Sequence, residues 1–486
     1  MATKNVLAFD LGASSGRGML ARFDGEKITL EEKHRFPHNF SILIGHAYWD
    51  ILHLADEIKH AIMLCKEDLS GIGFDTWGVD CGLLDREGNL LSMPGSYRDA
   101  ALDDVNMAEA LEIIGGERYA FEQTGIASLA YNTLYRLYYM QKNMPSLLHC
   151  ADKMLLMPNL LEYLFSGVKH TEYSIASTTQ LYDMHRKAWA RPILEKLGLK
   201  ESLFTEVNLA GRDLGKLRPD VAAEVKQGRL HVISAPGHDT ACAVAAVAAK
   251  TEEFTFLSSG TWSLMGISSK KLLEGEAIIR SKISNEGTAD GGYRPTVNII
   301  GLWMVQELRR NFMAQGKEYD FAQMAELASR EKPLQCFACP DDFMQPGDYT
   351  KKIREYCKKT KQVVPETDGA LIRCVLESLA LKYRQVYDTL KPYITWEEKL
   401  YIVGGGVQNR LLCQFTANAL GIPVMAGASE ATAVGNVMSQ LRAVGAYQSE
   451  RDKYNILAAS FGTTEYFPED REAWQEAYAR FSALYK

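Results

Sequence analysis

The chain of 486 residues carries the same local pattern twice, about half a chain apart. An apolar run over residues 5–10 leads into the turn sequence LGASSGRG, and residues 19–23 then alternate between apolar and polar. The arrangement recurs over residues 254–268 as FTFLSS, GTW and SLMGIS. Because such alternation is typical of a half-buried antiparallel strand, each segment is predicted to be a hairpin with a glycine-rich tip. Two such hairpins indicate a duplicated architecture.

The length also predicts two domains, since a chain of this size is too long for one compact core. We expect a boundary near residue 248, which gives domains of residues 1–247 and 248–486. No internal period of 20–50 residues is visible, so a solenoid is excluded. Between the hairpins and after them, predicted strands and helices alternate. The fold class expected is therefore α/β with mixed sheets.

Local patterns predict several individual elements in the second half of the chain. Residues 370–390 have apolar side chains spaced for one face of a helix. A buried strand over residues 399–403 leads into three glycines, and a helix over residues 408–420 is ended by Gly421. Further predicted elements are a strand over residues 422–425, a helix over residues 430–444 and an alanine-rich helix over residues 241–249.

Charge and hydropathy exclude some classes of partner. The net charge of −7 leaves no basic excess to neutralise phosphates, so neither nucleic acid nor an anionic membrane is an expected partner. The N-terminal apolar run meets Asp10 before the apolar core of an export signal could form. The longest apolar stretch, residues 241–249, is too short to span a bilayer. A cytoplasmic protein is expected.

Nine cysteines at irregular spacing do not form a disulfide framework. Cys336 and Cys339 form a lone CxxC motif, which is either a redox pair or two reduced thiols in a loop, and the second interpretation is favoured. Cys357 and Cys374 bracket a loop before a helix, and they could pair under oxidation.

The two glycine-rich turns are candidates for phosphate binding. The turn of residues 10–17 offers backbone N–H groups and hydroxyls to phosphate oxygens, and Asp10 can hold Mg²⁺ through water. One such turn alone favours an ordinary hairpin tip rich in small residues. The turn of residues 258–263 is built in the same way. Two of them on opposite sides of a domain boundary would make a clamp for a polyphosphate.

A third glycine cluster, residues 404–406, joins a predicted strand to a predicted helix. Three glycines let a flat ring or a phosphate approach the backbone closely. The cluster is not GxGxxG, and no acidic residue stands about 20 positions further on for a ribose. Contact with adenosine is therefore favoured over a dinucleotide fold.

Two further segments could act on an alcohol substrate. Asp239, at the start of the alanine-rich helix, is from the residues alone more readily explained as an N-cap, but it could also be the base that takes a hydroxyl proton. Residues 73–80, GFDTWGVD, combine an aromatic ring, carboxylates and a bare glycine, which suits a sugar. Equally, Asp75 and Asp80 could satisfy turns and Trp77 could be core.

These motifs together resemble the FGGY carbohydrate kinases. The order and spacing of that family are matched by DLGASSGRG, GFDTWGVD, GHDTACAV, SSGTWSLMG, NIIGLWMVQ and YIVGGGVQN, from Val6 to about Gly445. The resemblance implies two ribonuclease-H-like (actin-like ATPase) domains, with mixed sheets flanked by helices and a cleft between them. It also implies ATP and Mg²⁺ as cofactors, a small-molecule sugar as partner, and a monomer or weak homo-oligomer.

The resemblance implies a role for each matching residue. Asp239 would be the catalytic base and Asp10 would organise Mg²⁺. The ATP-binding residues would be Ala13, Ser14, Ser15, Gly16, Arg17, Thr261, Gln306, Gly405 and Asn409. The substrate-binding residues would be Gly78, His238, Asp239, Thr240 and Asn298.

The substrate is narrowed by the pair TWGVD and SSGTWSLMG, which within the family implies phosphorylation of the 1-hydroxyl of L-rhamnulose. Two positions depart from the family pattern: Ala101 stands where an arginine is common, and Asn159 replaces the aspartate of an MPD motif. Substrate preference therefore stays open, with another ketose or deoxysugar such as L-fuculose as the alternative. The alternatives from other classes are an actin-like ATPase that transfers no phosphoryl group and a dehydrogenase that uses the turn of residues 404–406.

Overall fold

The structure, a computed structural model, describes residues 3–485. The chain forms two compact units, neither of which is continuous in sequence. Unit 1 contains the chain up to Lys250 together with Ser269–Pro295 and Ala431–Ser460. Unit 2 contains Thr251–Ser268, Thr296–Glu430 and the chain from Phe461 onward. The expected boundary near residue 248 is for two domains that are each continuous in sequence. The division into these discontinuous units does not test it, so it stays a prediction.

The strands are β1 (Lys4–Leu11), β2 (Ser15–Phe23), β3 (Ile28–Pro37), β4 (Phe40–Leu43), β5 (His46–Trp49), β6 (Gly71–Thr76), β7 (Cys81–Leu84), β8 (Lys153–Leu156), β9 (Thr171–Glu172), β10 (Tyr182–Asp183), β11 (Ala188–Trp189), β12 (Val207–Asn208), β13 (Arg212–Lys216), β14 (His231–Ser234), β15 (Phe254–Ser259), β16 (Trp262–Ser268), β17 (Ser284–Gly287), β18 (Tyr293–Ile300), β19 (Leu400–Val403), β20 (Val424–Ala426) and β21 (Thr464–Tyr466).

The α-helices are α1 (Ile51–Leu64), α2 (Asp104–Ile114), α3 (Glu117–Thr124), α4 (Thr133–Asn143), α5 (Pro145–Cys150), α6 (Met157–Ser166), α7 (Tyr173–Ala176), α8 (Arg191–Lys196), α9 (Pro219–Val225), α10 (Asp239–Ala245), α11 (Glu276–Arg280), α12 (Trp303–Ala314), α13 (Phe321–Ser329), α14 (Tyr349–Lys359), α15 (Asp368–Leu390), α16 (Arg410–Leu420), α17 (Ala431–Ala443), α18 (Glu450–Phe461) and α19 (Arg471–Ala483). Short 3₁₀ segments are Ser177–Thr179, Glu201–Leu203, Pro340–Asp342, Lys391–Tyr393 and Gly405–Gln408.

The main sheets of the two units repeat one strand pattern. In unit 1 the order is β13-β14-β6-β1-β2-β3, in which β1, β2 and β3 are antiparallel neighbours, β6 and β14 continue parallel to β1, and β13 is antiparallel. In unit 2 the corresponding order, read from the opposite edge, is β18-β16-β15-β19-β20-β21. These strands take the places of β3, β2, β1, β6, β14 and β13, with the same parallel and antiparallel pairings. Both predicted hairpins are present. The expected α/β class with mixed sheets is confirmed.

Burial on both faces stabilises β1, the strand that leads into the first glycine-rich turn. Residues 6–11 of β1 are all buried, as expected for a strand with both faces covered. Helix α17 packs against β1, β6 and α10 within unit 1. Gly435 permits the approach to α10, since a Cβ at this position would lie 1.8 Å from the carbonyl oxygen of Cys242. The close contact therefore requires glycine.

The predicted helices agree with the structure except at some ends. Helix α15 begins two residues before the predicted start, because Thr367 caps it by accepting from the backbone N–H of Ala370. Gly421 adopts the left-handed conformation after α16, with φ of 71°. The alanine-rich helix is shorter than predicted, because α10 ends at Ala245. Within residues 3–485, no helix is both long and apolar enough to cross a bilayer.

Candidate functional site

The first of the two glycine-rich turns lies in unit 1, between β1 and β2. Asp10 and Arg17 are paired across the hairpin, and their side chains form an ion pair. The turn is closed by a 3.0 Å hydrogen bond from the N–H of Gly12 to the carbonyl of Ser15, and Ser14 at its tip is exposed. Gly16 has no room for a side chain, because a Cβ would lie 2.3 Å from the ring of Phe36.

Three carboxylates converge on one end of the unit 1 sheet. Asp10 on β1 lies directly beside Asp75 on the parallel neighbour β6. The next residue of β6, Thr76, donates its backbone N–H to the carbonyl of Gly237 at 2.9 Å. Asp239 follows two residues later as the first residue of α10. The ends of two parallel strands and the start of one helix thus bring together residues that are far apart in the sequence.

Asp75 is the most deeply buried of the three carboxylates, with no exposed surface. Burial raises its pKa well above the usual value, and the negative charges of Asp10 and Asp239 raise it further. The side-chain amide of Asn436 opposes this shift by donating to Oδ2 at 2.7 Å. Oδ1 is buried and has no hydrogen-bond partner among residues 3–485. A cation near this oxygen would therefore be stabilised electrostatically.

The capping interpretation of Asp239 is wrong. The N-cap position of α10 is occupied by His238, and no side-chain hydrogen bond caps this helix in the described part of the chain. Asp239 instead accepts from its neighbour Thr240, from the backbone N–H and from the hydroxyl at 3.1 Å. Its side chain keeps 34% of its surface exposed, which leaves the carboxylate accessible for chemistry.

The loop before Asp239 is held in place by Glu172 and Ser174, which no sequence motif marks as part of a site. Buried Glu172 accepts from the N–H of Gly237 at 2.8 Å and from the hydroxyl of Ser174 at 2.6 Å. That hydroxyl in turn accepts from the N–H of His238 at 3.3 Å. Each of these bonds fixes the backbone that leads into α10. The position of Asp239 is therefore set by a buried carboxylate more than 60 residues earlier in the chain.

A buried ion pair lies behind His238. Arg294, with no exposed surface, pairs with Glu286 and donates to Nδ1 of His238 at 2.8 Å. Although burial opposes ionisation, Arg294 and His238 hold the pKa of Glu286 below its usual value. The other ring nitrogen of His238 lies 3.4 Å from Oδ1 of Asp239. Neither Glu286 nor Arg294 was predicted, since no local motif marks them.

Asp80 fixes two tryptophans in the GFDTWGVD segment. Its Oδ2 accepts from the indole N–H of Trp49 at 2.7 Å and of Trp77 at 2.9 Å, and Oδ1 accepts from Arg136 at 3.2 Å. The two indole rings lie 4.3 Å apart. Gly78, a predicted substrate residue, lies beside Thr178, where a Cβ would approach to 3.2 Å. Asp80 thus anchors two buried indole rings, and Trp77 is part of the hydrophobic core.

Ala101 and Asn159, the two residues that depart from the family pattern, each form hydrogen bonds with residues close to them in space. The N–H of Ala101 donates to Asp99 at 2.9 Å. Asn159 is buried, donates to Glu162 at 2.8 Å and accepts from the N–H of Glu172 at 3.3 Å. A carboxylate at position 159 could not donate to Glu162, so the amide suits this environment.

The second glycine-rich turn lies in unit 2, between β15 and β16. Thr261 at its tip accepts a hydrogen bond from the side-chain amide of Gln306 on α12 at 3.1 Å. Asn298 lies on β18 opposite Leu264 of β16, with an exposed side chain. The predicted pair Thr261 and Gln306 is therefore brought together inside one unit.

The third glycine cluster packs directly on the second turn. A Cβ on Gly406 would lie 2.0 Å from Oγ of Ser259, so glycine is required for this contact. Gly405 has open space in the direction of a side chain. Asn409 has a local role, since it caps α16 by accepting from the N–H of Leu412 at 3.0 Å.

Comparisons with known proteins cover almost the whole chain. Residues 5–246 match the N-terminal domain model of the FGGY family of carbohydrate kinases, and residues 255–444 match its C-terminal domain model. A rhamnulokinase of Bacteroides thetaiotaomicron is 40% identical over 487 residues, which cover 98% of this chain and 99% of that protein. A rhamnulokinase of Halalkalibacterium halodurans is 37% identical and covers 96% of this chain and 99% of that protein.

Solved structures share the fold at much lower sequence identity. The xylulose kinase from Rhodospirillum rubrum has a TM-score of 0.81 at 18% identity, covering 99% of this chain and 98% of that one. The glycerol kinase of Plasmodium falciparum with ADP has a TM-score of 0.78 at 14% identity, with the same coverage of 99% and 98%. The expected fold, with two ribonuclease-H-like domains of the actin-like ATPase type, is confirmed. With both family domains matched and relatives aligned end to end, the chain belongs to the FGGY family of carbohydrate kinases.

Proposed function

We propose that the protein transfers the γ-phosphoryl group of ATP to the primary 1-hydroxyl of L-rhamnulose, giving L-rhamnulose 1-phosphate and ADP. The substrate is suggested by the rhamnulokinases among the relatives, which are 40% and 37% identical. One observation carries the proposal. The partly exposed carboxylate of Asp239 stands at the start of α10, at the sheet end where Asp10 begins the glycine-rich turn.

Asp239 acts as the general base in this proposal. Its carboxylate takes the proton of the primary hydroxyl while the hydroxyl oxygen forms a bond to the γ-phosphorus. The bond between that phosphorus and the bridging oxygen of ADP breaks, and ADP leaves. The hydrogen bonds from Thr240 hold Oδ1 in one orientation, and the buried Glu172 fixes the loop before it. A base held in this way loses little entropy when the substrate binds.

ATP is the phosphoryl donor, as in the sugar kinases of this family. Its binding is proposed for the residues of the first turn in unit 1 and for the turn and glycine cluster in unit 2. These residues are Ala13, Ser14, Ser15, Gly16, Arg17, Thr261, Gln306, Gly405 and Asn409. The close packing of the first turn and of the glycine cluster supports the assignment, since Gly16 and Gly406 have no room for a side chain.

Asp10 is the proposed site of Mg²⁺, with Asp75 and Asp239 beside it. The three carboxylates fit a hard cation, which prefers oxygen ligands and keeps several waters. The buried Oδ1 of Asp75, which has no hydrogen-bond partner in residues 3–485, favours a positive charge in the same place. When bound, Mg²⁺ would neutralise charge on the phosphates.

Sugar binding is proposed for Gly78, His238, Thr240 and Asn298. His238 is held by Arg294 through its Nδ1, which leaves the Nε2 side directed toward Asp239. The indole rings of Trp49 and Trp77 are almost completely buried, so they support the backbone around Gly78 from within the core and do not themselves face a sugar.

The activity is tested with a coupled ADP-release assay run in parallel on L-rhamnulose, L-fuculose, xylulose and glycerol. We expect the highest kcat/KM for L-rhamnulose. A higher value for L-fuculose would replace the substrate but keep the kinase. ADP release at full rate without any sugar would favour an actin-like ATPase, and nicotinamide binding would favour a dehydrogenase.

The role of Asp239 is tested with Asp239→Asn, which keeps the shape of the side chain and removes the base. We expect kcat to fall by about 10²–10⁴-fold, on the scale of general bases. Asp213→Asn is the matched control, because Asp213 is half-exposed in the same unit and pairs with His231. If Asp239→Asn keeps near-full activity with an unchanged circular dichroism spectrum, this role is wrong.

A further inference from the structure

Three thiols cluster in unit 2, apart from every residue assigned to the reaction. Cys336 lies in the segment of residues 334–339 between α13 and the next 3₁₀ turn, Cys357 lies near the end of α14, and Cys374 lies in α15. Their sulfur atoms are all within 4.8 Å of one another. All three are free thiols, and each side chain is almost completely buried. Neither the fold nor phosphoryl transfer requires such a grouping.

The segment that carries Cys336, residues 334–339, is fastened from two sides. The N–H of Leu334 donates to Glu377 at 3.0 Å, and the N–H of Ala338 donates to the hydroxyl of Ser378 at 2.9 Å. On the other side, Gln362 accepts from the N–H of Phe337 at 2.9 Å and donates to its carbonyl at 2.8 Å. The sulfur of Cys336 is thus held in place by backbone bonds, which lowers the entropy cost of binding a shared ligand.

The ligand atoms of the three cysteines determine which kind of ion the cluster can bind. The cluster offers sulfur alone, and thiolates prefer soft ions such as monovalent copper. A structural zinc site takes four protein ligands, whereas this cluster offers three within residues 3–485. An ion at the centre of sulfurs up to 4.8 Å apart would lie at most about 2.8 Å from each. Bonds of about 2.3 Å then require an inward movement of about half an ångström.

A positive charge lies close to the cluster. Arg480 donates to the carbonyl of Leu334, which stands two residues before Cys336 in the same segment. A nearby cation offsets part of the negative charge that thiolate ligands bring to a buried site.

We propose that Cys336, Cys357 and Cys374 form a trigonal binding site for monovalent copper. Each thiol that forms a sulfur–copper bond releases its proton to solvent, and no electron is transferred because the ion enters as Cu(I). The site is independent of the proposed kinase reaction, so neither depends on the other. Because the sulfurs are buried, loading is slow in the folded protein and needs equilibration over hours.

The test uses the full chain with Cys150→Ser, because Cys150 is the exposed thiol and would bind copper adventitiously. Under anaerobic, reducing conditions, Cu(I) is supplied from its complex with bicinchoninate, and the loss of the coloured complex reports transfer to the protein. We expect one copper per chain. The affinity should fall at least tenfold in Cys336→Ser, Cys357→Ser and Cys374→Ser.

The matched control is Cys339→Ser, since Cys339 is buried three residues from Cys336 and lies outside the cluster. It should bind copper like the parent chain. X-ray absorption on the unsubstituted cluster gives a readout that does not depend on any variant folding, and three sulfur neighbours at about 2.3 Å are expected. Nitrogen or oxygen neighbours, equal binding by Cys336→Ser, or no transfer from bicinchoninate would each overturn the site. Loss of two titratable thiols without copper would also overturn it, in favour of a disulfide.

Discussion

Glu377 provides a test of the electrostatics of unit 2. This residue lies in the middle of α15 with a side chain that is 1% exposed. It accepts from Arg373 at 2.7 Å and from the backbone N–H of Leu334. Burial raises its pKa from 4.5 to about 7, and the charge of Arg373 only partly opposes the shift. Ionisation of Glu377 therefore costs folding free energy.

The magnitude follows from proton linkage. Because the folded pKa lies above the unfolded value, the contribution of Glu377 to stability is fully present below pH 4.5 and is lost as the pH rises through about 7. The difference between these two pKa values corresponds to about 3 kcal/mol in the free energy of unfolding. Glu377→Gln cannot ionise, so its stability lacks this dependence on pH. The attraction to Arg373 is already contained in the raised pKa, so it adds no separate contribution. Only the interactions of the neutral carboxyl that the amide does not reproduce add an offset, and that offset does not depend on pH.

The assay is the melting temperature of both chains between pH 5 and pH 8.5, with reductant and a chelator present. Relative to the unsubstituted chain, Glu377→Gln should gain about 2 to 3 kcal/mol across this range. For a chain of this length, that gain amounts to roughly 2–3 °C in melting temperature. Glu366→Gln, at an exposed position, is the control and should give a flat difference. A flat difference for Glu377→Gln as well would refute the reasoning.

Two further substitutions test the packing and the charges of unit 1. Gly435→Ala would bring a Cβ within 1.8 Å of the carbonyl of Cys242, so α17 must move away from α10, at a cost of about 1–3 kcal/mol or more in unfolding free energy. An unchanged urea midpoint would contradict this close contact. Arg294→Gln leaves Glu286 buried without its cation and should cost about 3–5 kcal/mol. The loss should shrink as the pH falls, because without Arg294 the burial of Glu286 raises its pKa and the carboxyl is protonated more readily. A loss independent of pH would speak against this role.

The sequence by itself determined the local elements and the order in which they occur. The two hairpins were predictable because alternation along a strand and glycine at a tight tip are properties of a few adjacent residues. The same is true of α15, whose apolar face repeats with the helical period, and of Gly421 at the end of α16. The motifs that we propose to bind phosphate lie within these elements, so the candidate residues could be named from neighbouring residues.

Only the tertiary structure decided which distant side chains share an environment. Asn436 donates to Asp75 across 361 positions, and Arg294 reaches His238 from 56 positions away. Cys336 forms a CxxC motif with Cys339 in the sequence, but in the structure its sulfur lies with those of Cys357 and Cys374. These contacts depend on the order of strands in a sheet and on the packing of helices, which no run of neighbouring residues encodes. The free energy of ionising such groups is set by their burial and by the neighbouring charges that the fold brings close to them.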